Sequence, residues 1–185
     1  MRIEKTALDG LHEISLEPIG DTRGFLMEVY RKDVFRKAGL EMPEFVQVNH
    51  SRSQRGVIRG LHFQWEAPLG KFIRVINGEA FIAAVDIRKK SATLGKWLGF
   101  EVSAENKKAL WVPAGFASGF CATGDIAEIE YFYTAHYNPH GESNIRWNDP
   151  ELGVNWPVAS PALSERDRAA QSFHEWLARP EADLL

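Results

Sequence analysis

The chain has 185 residues, of which 44% are hydrophobic and 25% are charged, and its formal net charge is −3. These values are typical of a folded globular protein and exclude a disordered chain. The near balance of charges also argues against a general nucleic-acid binder, which needs a large basic excess. The length predicts a single domain over residues 1–185.

The single cysteine, Cys121, excludes an intramolecular disulfide and a zinc site made only of cysteines. A reducing compartment is therefore the simpler expectation. The N-terminus lacks the apolar region of a signal peptide, and no apolar run approaches the roughly 18 residues of a membrane span. We expect a cytoplasmic protein that makes no use of a membrane.

Short extended segments dominate the chain, after one short helical pattern at residues 32–38 that ends at Gly39. Strands are predicted at residues 70–76, 80–87, 96–102, 108–112, 117–122 and 126–134. The pair Asn77-Gly78 predicts a tight hairpin turn between the first two of these, and residues 123–125 predict a turn between the last two. Many short strands at close spacing are typical of an all-β sandwich, barrel or jelly roll.

The C-terminal part of the chain has a different pattern. Residues 150–161 are rich in proline and predict an irregular arm that is anchored on the domain by Trp156. Beyond this arm, Ser164 predicts the N-cap of one helix that continues to about Ala178 and is ended by Pro180.

A candidate base lies in the segment RGLHFQ, residues 59–64. Imidazole is partly neutral near pH 7, so His62 could act as a general base close to an anion site formed with Arg59 and Lys71. A hydrogen-bonded structural histidine is the alternative. Metal-binding cupins carry an H-x-H pair and a P-x-G-x-x-H segment, whereas His62 stands alone and Ser118 fills the last position of the second motif. We therefore expect no metal.

Two further groups of residues have both a chemical and a structural interpretation. Tyr131 and Tyr133 share one face of a predicted strand and Tyr137 follows it, so they could offer a phenolic proton to a ligand or form an aromatic core ladder. Asp167 lies three residues after Ser164, where it could complete a helix cap or orient a histidine. The spacing does not choose between these alternatives.

Several segments, spread from about residue 3 to residue 170, occur together in one known family. They are DTRGFLMEVY, FVQVNHS, GVIRGLHFQ, GKFIRV, GEAFIAAVDIRKKSATLGKW, VSAEN, LWVPAGFASGF, IRWNDPELGVNWP and LSERD. In this order and at this spacing they resemble the dTDP-4-dehydrorhamnose 3,5-epimerases, a family of nucleotide-diphospho-4-keto-sugar epimerases. The number of ordered matches makes the resemblance specific, although no single motif would.

The resemblance implies an all-β, cupin-like antiparallel jelly roll, to which the residue patterns add short peripheral helices and a C-terminal helix. It also implies a homodimer with exchanged strands, and an isomerase without metal or cofactor. The implied reaction inverts C3 and/or C5 of a nucleotide-diphospho-4-keto-6-deoxyhexose through an enolate, as in the conversion of dTDP-4-dehydro-6-deoxyglucose to dTDP-4-dehydrorhamnose for deoxysugar and polysaccharide biosynthesis. The alternatives are an epimerase acting only at C3 or only at C5 of another sugar nucleotide, and an inactive sugar-nucleotide-binding relative.

Position by position, the resemblance assigns roles to individual residues. His62 is the base, Asp167 orients it, Tyr131 is the opposing acid, and Lys71 is the cation beside the keto oxygen. The residues implied to bind the substrate are Arg23, Glu28, Gln47, Asn49, Arg59, Ser118, Tyr137, Glu142 and Arg166.

Three residues depart from the family pattern. Ser118 replaces a usual histidine, Ile82 replaces a usual acidic residue, and Phe132 replaces the lysine that usually follows the tyrosine. We expect all three to lie near the hexose pocket, which predicts an altered sugar or an altered outcome. The sequence identifies neither the nucleotide nor the hexose.

Overall fold

Residues 1–185 are described by a computed structural model in which nine antiparallel strands form one sheet and two further strands form a separate hairpin. The strands are β1 (Arg2–Lys5), β2 (His12–Ser15), β3 (Pro18–Asp21), β4 (Gly24–Met27), β5 (Gln47–Gln54), β6 (Ile58–Gln64), β7 (Lys71–Asp86), β8 (Trp97–Ser103), β9 (Lys108–Val112), β10 (Phe116–Tyr133) and β11 (Glu142–Asn144). The helices are α1 (Lys32–Lys37), α2 (Glu165–Arg168), α3 (Phe173–Leu177) and a 3₁₀ helix (Pro180–Leu184). None of the helices is long and apolar enough to cross a membrane.

The two long strands β7 and β10 form the spine of the fold. They pair antiparallel from Phe116 opposite Asp86 to Tyr133 opposite Lys71. The first half of β7 also pairs with β9 and its second half with β8, while β10 pairs first with β6 and then with β5. The sheet therefore folds over into two layers. The first layer contains β1, β2, β9, β5, the first half of β7 and the second half of β10. The second layer contains β8, β6, β11, the second half of β7 and the first half of β10. The expected cupin-like antiparallel jelly roll is confirmed.

Alternation along the spine separates the core into an inner and two outer parts. Ile73 and Ile82 of β7 and Phe120 of β10 belong to the cluster between the layers. Phe72, one residue before Ile73, points outward and packs with Phe35 of α1. Because neighbouring residues serve different clusters, both faces of the spine are buried.

The C-terminal segment covers the outer face of the second layer. Val85 of β7 and Phe63 of β6 pack there with Trp156 and Trp176. Trp156 is buried, and its Nε1 donates to the carbonyl of Trp147 at 2.7 Å. The interpretation of residues 150–161 as an arm anchored by this tryptophan is confirmed.

The predicted hairpin at Asn77-Gly78 is wrong, because β7 runs through these residues without a turn. Gly78 does have a positive φ of 75°, but it serves an irregularity in the pairing with β10 near Ala127. A Cβ at Gly78 would lie 1.9 Å from the carbonyl oxygen of Ile126. Residues 123–125 likewise lie inside β10, where the register shifts, and form no break. Both turn signals mark bulges that bend long strands.

The single C-terminal helix predicted from Ser164 to about Ala178 is also wrong. Ser164 caps only α2, since the chain then becomes extended and Gln171 forms a bridge with Ile145. A second cap begins α3, where Ser172 and Glu175 form a capping box. The start at Ser164 is thus confirmed and the length is not.

Asp86, at the end of β7, is fully buried and accepts five hydrogen bonds. They come from the backbone N–H and guanidinium of Arg88 and from the hydroxyls of Ser91 and Thr93. Burial alone would raise the pKa of this carboxyl, but the hydrogen bonds outweigh it and lower the pKa to about 2. The ionised carboxylate therefore holds the turn after β7 in place.

We predict that Asp86→Asn lowers the free energy of unfolding by about 3 kcal/mol at pH 7, because it leaves the Arg88 guanidinium poorly paired. The native pKa lies below the unfolded value of about 3.9, so the stabilisation is complete above pH 4 and is lost as the pH falls toward 2. Urea unfolding from pH 7 to pH 3 should show the difference shrinking in acid. Asp125→Asn, at an exposed ion pair with Arg55, is the control and should change stability by less than about 0.5 kcal/mol. Equal effects of the two substitutions would contradict this account.

Candidate active site

A cavity of about 200 Å³ opens between the two layers. Pockets for drug-sized ligands measure roughly 300–1,000 Å³, so the enclosed space suits one compact group such as a single sugar ring. Most of the predicted site residues line it: Asn49, Arg59, His62, Lys71, Ser118, Tyr131, Tyr137 and Glu142. His62 is the one histidine in this lining, and no group of three His, Cys, Asp or Glu side chains in the structure could hold a metal ion.

His62 reaches the cavity from β6, while its neighbours Leu61 and Phe63 are buried in the cluster behind that strand. Its Nε2 lies 2.6 Å from Oδ1 of Asp167. The other carboxylate oxygen accepts from Ser164 Oγ at 2.8 Å, and the Asp167 N–H donates to the same hydroxyl. Asp167 therefore both completes the cap of α2 and contacts the histidine, so the two sequence interpretations are compatible.

The charge of Asp167 determines which nitrogen of the His62 ring carries a hydrogen. Burial acts to raise the pKa of its carboxyl, but hydrogen bonds from His62, Ser164 and the Gly60 backbone outweigh it, and the pKa lies below its usual value. An ionised carboxylate can only accept, so Nε2 of His62 carries a hydrogen. In the neutral ring, the lone pair is then on Nδ1, which has no partner within the chain.

Lys71 is a buried ammonium at the start of β7. Its Nζ donates to the carbonyl of His62 at 3.0 Å and to Ser118 Oγ at 3.1 Å. Burial lowers the pKa of Lys71 to about 8, with the attraction of Glu142 opposing and the repulsion of Arg166 adding to this effect. The side chain is still mostly charged at neutral pH, and one of its three hydrogens remains free for a ligand.

Tyr131 lines the cavity from β10, where that strand pairs with β5 in the first layer. The ring of Tyr133 lies 6.2 Å away, which confirms that the two tyrosines share a face. Ser51 Oγ donates to the phenolic oxygen of Tyr131 at 3.3 Å. Burial raises the pKa of Tyr131 well above its usual value. The phenol is therefore protonated, and its own hydrogen is not used in that hydrogen bond.

The mouth of the cavity carries a second polar group. Arg166 Nη1 lies 2.7 Å from Glu142 Oε2, beside the half-exposed Tyr137. Gln47 stands behind Asn49, since its Nε2 donates to Asn49 Oδ1 at 3.0 Å and its Oε1 accepts from the backbone N–H of Tyr137. Gln47 and Arg166 thus support lining residues rather than lining the cavity themselves.

Two of the predicted binding residues do not reach the cavity within one chain. Arg23 lies in the hairpin formed by β3 and β4, where it is exposed and pairs with Asp21. Glu28 follows this hairpin and pairs with Arg31 on the surface. The hairpin pairs with no other strand of the chain, so it carries both residues away from the site.

The three departures from the family pattern do not share one location. Ile82 and Ser118 line the cavity, as expected. The expectation for Phe132 is wrong, because adjacent residues in a strand point to opposite faces. Phe132 follows Tyr131 and packs instead with Phe45 and Phe72 on the outer face of the first layer.

Sequence reasoning missed several polar or aromatic groups of the lining, and two of them share a common signal. Ser51 and Phe120 both face the cavity. Each lies two residues from a residue that was singled out, Asn49 or Ser118, so the two-residue period of a strand carried the signal.

Comparison with known proteins gives one consistent family. The family model described as dTDP-4-dehydrorhamnose 3,5-epimerase matches residues 5–175. A relative of that name from Shigella flexneri is 45% identical over 174 residues, which are 94% of this chain and 96% of the relative. A relative of the same name from Neisseria gonorrhoeae is 46% identical over 94% of this chain, and the match spans 53% of that longer protein. The crystal structure of a dTDP-6-deoxy-D-glucose-3,5-epimerase from Legionella pneumophila, in complex with dTDP-4-keto-L-rhamnose, superposes with a TM-score of 0.92 at 40% identity and covers 98% of this chain and 96% of its own.

We predict that Glu142→Gln lowers the pKa of Lys71 further below about 8, because the substitution removes the negative charge that favours the ammonium. The pKa can be followed from the side-chain ¹³Cε resonance of Lys71 during an NMR titration. Glu44→Gln, which removes an exposed carboxylate paired with Lys32, should leave that pKa unchanged. A Lys71 that titrates near the ordinary lysine value of about 10.4 would contradict a desolvated environment for its ammonium group.

Proposed function

This chain belongs to the dTDP-4-dehydrorhamnose 3,5-epimerase family, and we propose that it inverts C3 and C5 of dTDP-4-dehydro-6-deoxyglucose to give dTDP-4-dehydrorhamnose. The observation that carries the proposal is the cavity that holds a carboxylate-bound imidazole, a protonated phenol and a buried ammonium together. The ligand in the Legionella pneumophila structure, dTDP-4-keto-L-rhamnose, supports a substrate of this class.

The proposed reaction starts with removal of a proton from carbon. The C4 ketone acidifies the hydrogens on C3 and C5, and Nδ1 of His62 takes one of them. The electron pair of the broken C–H bond moves into the ring and onto the C4 oxygen, which gives an enolate. Asp167 holds the imidazole in the required tautomer and stabilises the imidazolium that forms.

Inversion then requires that a proton return from the other face of the same carbon. His62 enters the cavity from the second layer and Tyr131 from the first, so the two groups address a planar enolate from different sides. The C=C electron pair of the enolate takes the hydrogen of the Tyr131 O–H, and the charge on the C4 oxygen re-forms the carbonyl. The imidazolium then gives its proton to solvent and the phenolate takes a proton from solvent, so both groups return to their starting forms. The step is redox neutral, because the proton that leaves is replaced by another.

Lys71 stabilises the charge that develops on the C4 oxygen. It is held between the His62 carbonyl and Ser118, so it needs little reorganisation as the enolate forms. In a buried site a positioned charge of this kind contributes far more than it would in water. Removal of one such donor typically slows a reaction about 10²- to 10³-fold.

The diphosphate and nucleoside extend from the cavity mouth. Arg59 lines the cavity, and Arg166 lies beside it through Glu142. A diphosphate pairs well with such guanidinium groups, and these local charges are compatible with an overall net charge of −3.

A homodimer is the second part of the proposal. The hairpin of β3 and β4 exposes Ile19, Phe25 and Leu26, with between 59% and 77% of each accessible. An apolar hairpin that pairs with no other strand suits burial against a second copy of the chain. The partner's hairpin would then supply Arg23 to a cavity that lacks it within one chain.

The single buried cysteine, Cys121, fits a protein of the reducing cytoplasm.

An epimerase that acts at only one carbon is the alternative that a specific observation favours. Ser118 and Ile82 line the cavity at positions where the sequence departs from its family, and both lie where the hexose would sit. An inactive binding protein is disfavoured, because the base, its carboxylate, the acid and the ammonium are all assembled around one cavity.

We predict that the protein in D₂O exchanges deuterium into C3 and C5 of dTDP-4-dehydro-6-deoxyglucose, as followed by ¹H NMR. His62→Ala should reduce exchange at both carbons by at least about 10³-fold because the base is removed, with nucleotide binding retained. Tyr131→Phe should slow inversion more than exchange, because His62 can still return a proton to its own face.

His174→Ala is the control for this experiment, since His174 is an exposed histidine on α3, and it should behave as the wild type. Deuterium at one carbon alone would select the single-carbon alternative. Unchanged turnover in His62→Ala would remove the mechanism, and equal losses of inversion and exchange in Tyr131→Phe would remove the tyrosine as the opposing acid.

We also predict that Leu26→Asp converts a dimer into a monomer, as measured by size-exclusion chromatography with light scattering, because it places a charge in the proposed interface. Leu184→Asp changes a leucine that is 63% exposed outside the hairpin and should leave the dimer intact. A wild-type monomer, or a dimer unaffected by Leu26→Asp, would contradict the proposed assembly.

A further inference from the structure

The hydrogen bond between Lys71 and Ser118 has only one possible direction. An ammonium has three hydrogens and no lone pair, so Lys71 Nζ donates and Ser118 Oγ accepts, over 3.1 Å. The hydroxyl hydrogen of Ser118 must therefore point to some other acceptor. The side chain of Ser118 makes no other hydrogen bond within the chain.

Ser118 is also buried, with 5% of its surface accessible. Buried donors in native proteins are nearly always paired, and one that is left over needs an explanation. Ser118 lines the cavity between the layers, so a ligand in that cavity can supply the missing acceptor. Lys71 also has an unused donor. The His62 carbonyl and the Ser118 hydroxyl oxygen accept two of its three hydrogens, and the third has no acceptor in the chain.

We propose that the free hydroxyl hydrogen of Ser118 and the free ammonium hydrogen of Lys71 together donate to the C4 oxygen of the sugar. Ser118 is then a catalytic residue that stabilises the enolate, and this inference rests on the proposed function. The two donors are 3.1 Å apart, so a single oxygen can accept from both. Donation from the ammonium also polarises the hydroxyl and strengthens its own hydrogen bond.

The surroundings favour such a pair of donors. Ile82 lines the same cavity and has 1% of its surface accessible, so part of the cavity wall is apolar. In the low dielectric there, each hydrogen bond to a developing negative charge is stronger than in water. The serine provides a neutral donor beside Lys71.

The first test compares Ser118→Ala with wild type in the deuterium-exchange assay. The rate constant for exchange should fall about 100-fold with little change in KM, as expected when a donor to the transition state is lost. Ser118→Cys, which keeps the shape but donates weakly, should show a loss close to that of Ser118→Ala. Cys121→Ala truncates a buried side chain of β10 that packs outside the cavity and should keep the wild-type rate. Wild-type exchange rates in both Ser118 variants would overturn the proposal.

A second test separates direct donation from mere positioning of Lys71. The probe is dTDP-4-dehydro-6-deoxyglucose labelled with ¹³C at C4 and bound to His62→Ala, which should not turn it over. Polarisation by Ser118 should move the C4 resonance downfield, and His62→Ala/Ser118→Ala should lose part of that shift. In the Lys71→Met background, Ser118→Ala should reduce the downfield shift of C4 further, because the hydroxyl donates to the C4 oxygen independently of Lys71.

An unchanged C4 resonance after removal of Ser118, in either background, would overturn the direct contact. This outcome is distinct from failure of the proposed function, which would appear as a lack of exchange in the wild-type protein. The bound-state resonance can be read even in that case, since it requires binding and not turnover.

Discussion

The antiparallel pairing of β7 with β10 is the constraint on which the rest of the structure depends. It runs through both layers, and its inward-facing positions supply Lys71, Ser118 and Tyr131 to one cavity. The same strands present Phe72 and Val85 outward to the two outer clusters. Fold and cavity therefore rest on one hydrogen-bonded ladder. A shift of its register by one residue would turn the side chains that line the cavity into the outer core.

The polar side chains around the cavity are paired within the protein, but each only in part. The Lys71 ammonium is buried, yet two acceptors and the nearby Glu142 keep it mostly charged at neutral pH. Asp167 is buried and ionised because His62 and Ser164 donate to it. What remains unused is a lone pair on the imidazole and hydrogens on an ammonium, a hydroxyl and a phenol. These are the groups that proton transfer next to a ketone requires.

Sequence reasoning predicted local elements well where the local pattern decides the structure, as for α1, β8 and β9. It was wrong at Asn77-Gly78, because partners on both sides of β7 override a preference for a turn and convert the glycine into a bulge. Local patterns singled out His62, Arg59 and Lys71 as candidates, but their assembly with Asp167 into one site was accessible only through resemblance. His62 and Asp167 are 105 residues apart, so no spacing reveals their contact, and the placement of Arg23 in a separate hairpin depends on tertiary structure.

Asp167 and His62 come from distant parts of the chain, and this has a consequence for how their contact is maintained. All strands of both layers precede Asp167 in the chain, and its carboxylate sits on the short helix α2. Two isolated β-bridges, one between Val57 and Ala162 and one between Ile145 and Gln171, hold this segment against the domain. Release of this segment alone would take the carboxylate away from the imidazole while the pairing of β7 with β10 stays intact. A local opening of this kind costs less free energy than unfolding of the whole domain, so the contact between His62 and Asp167 would be lost before the sheet is.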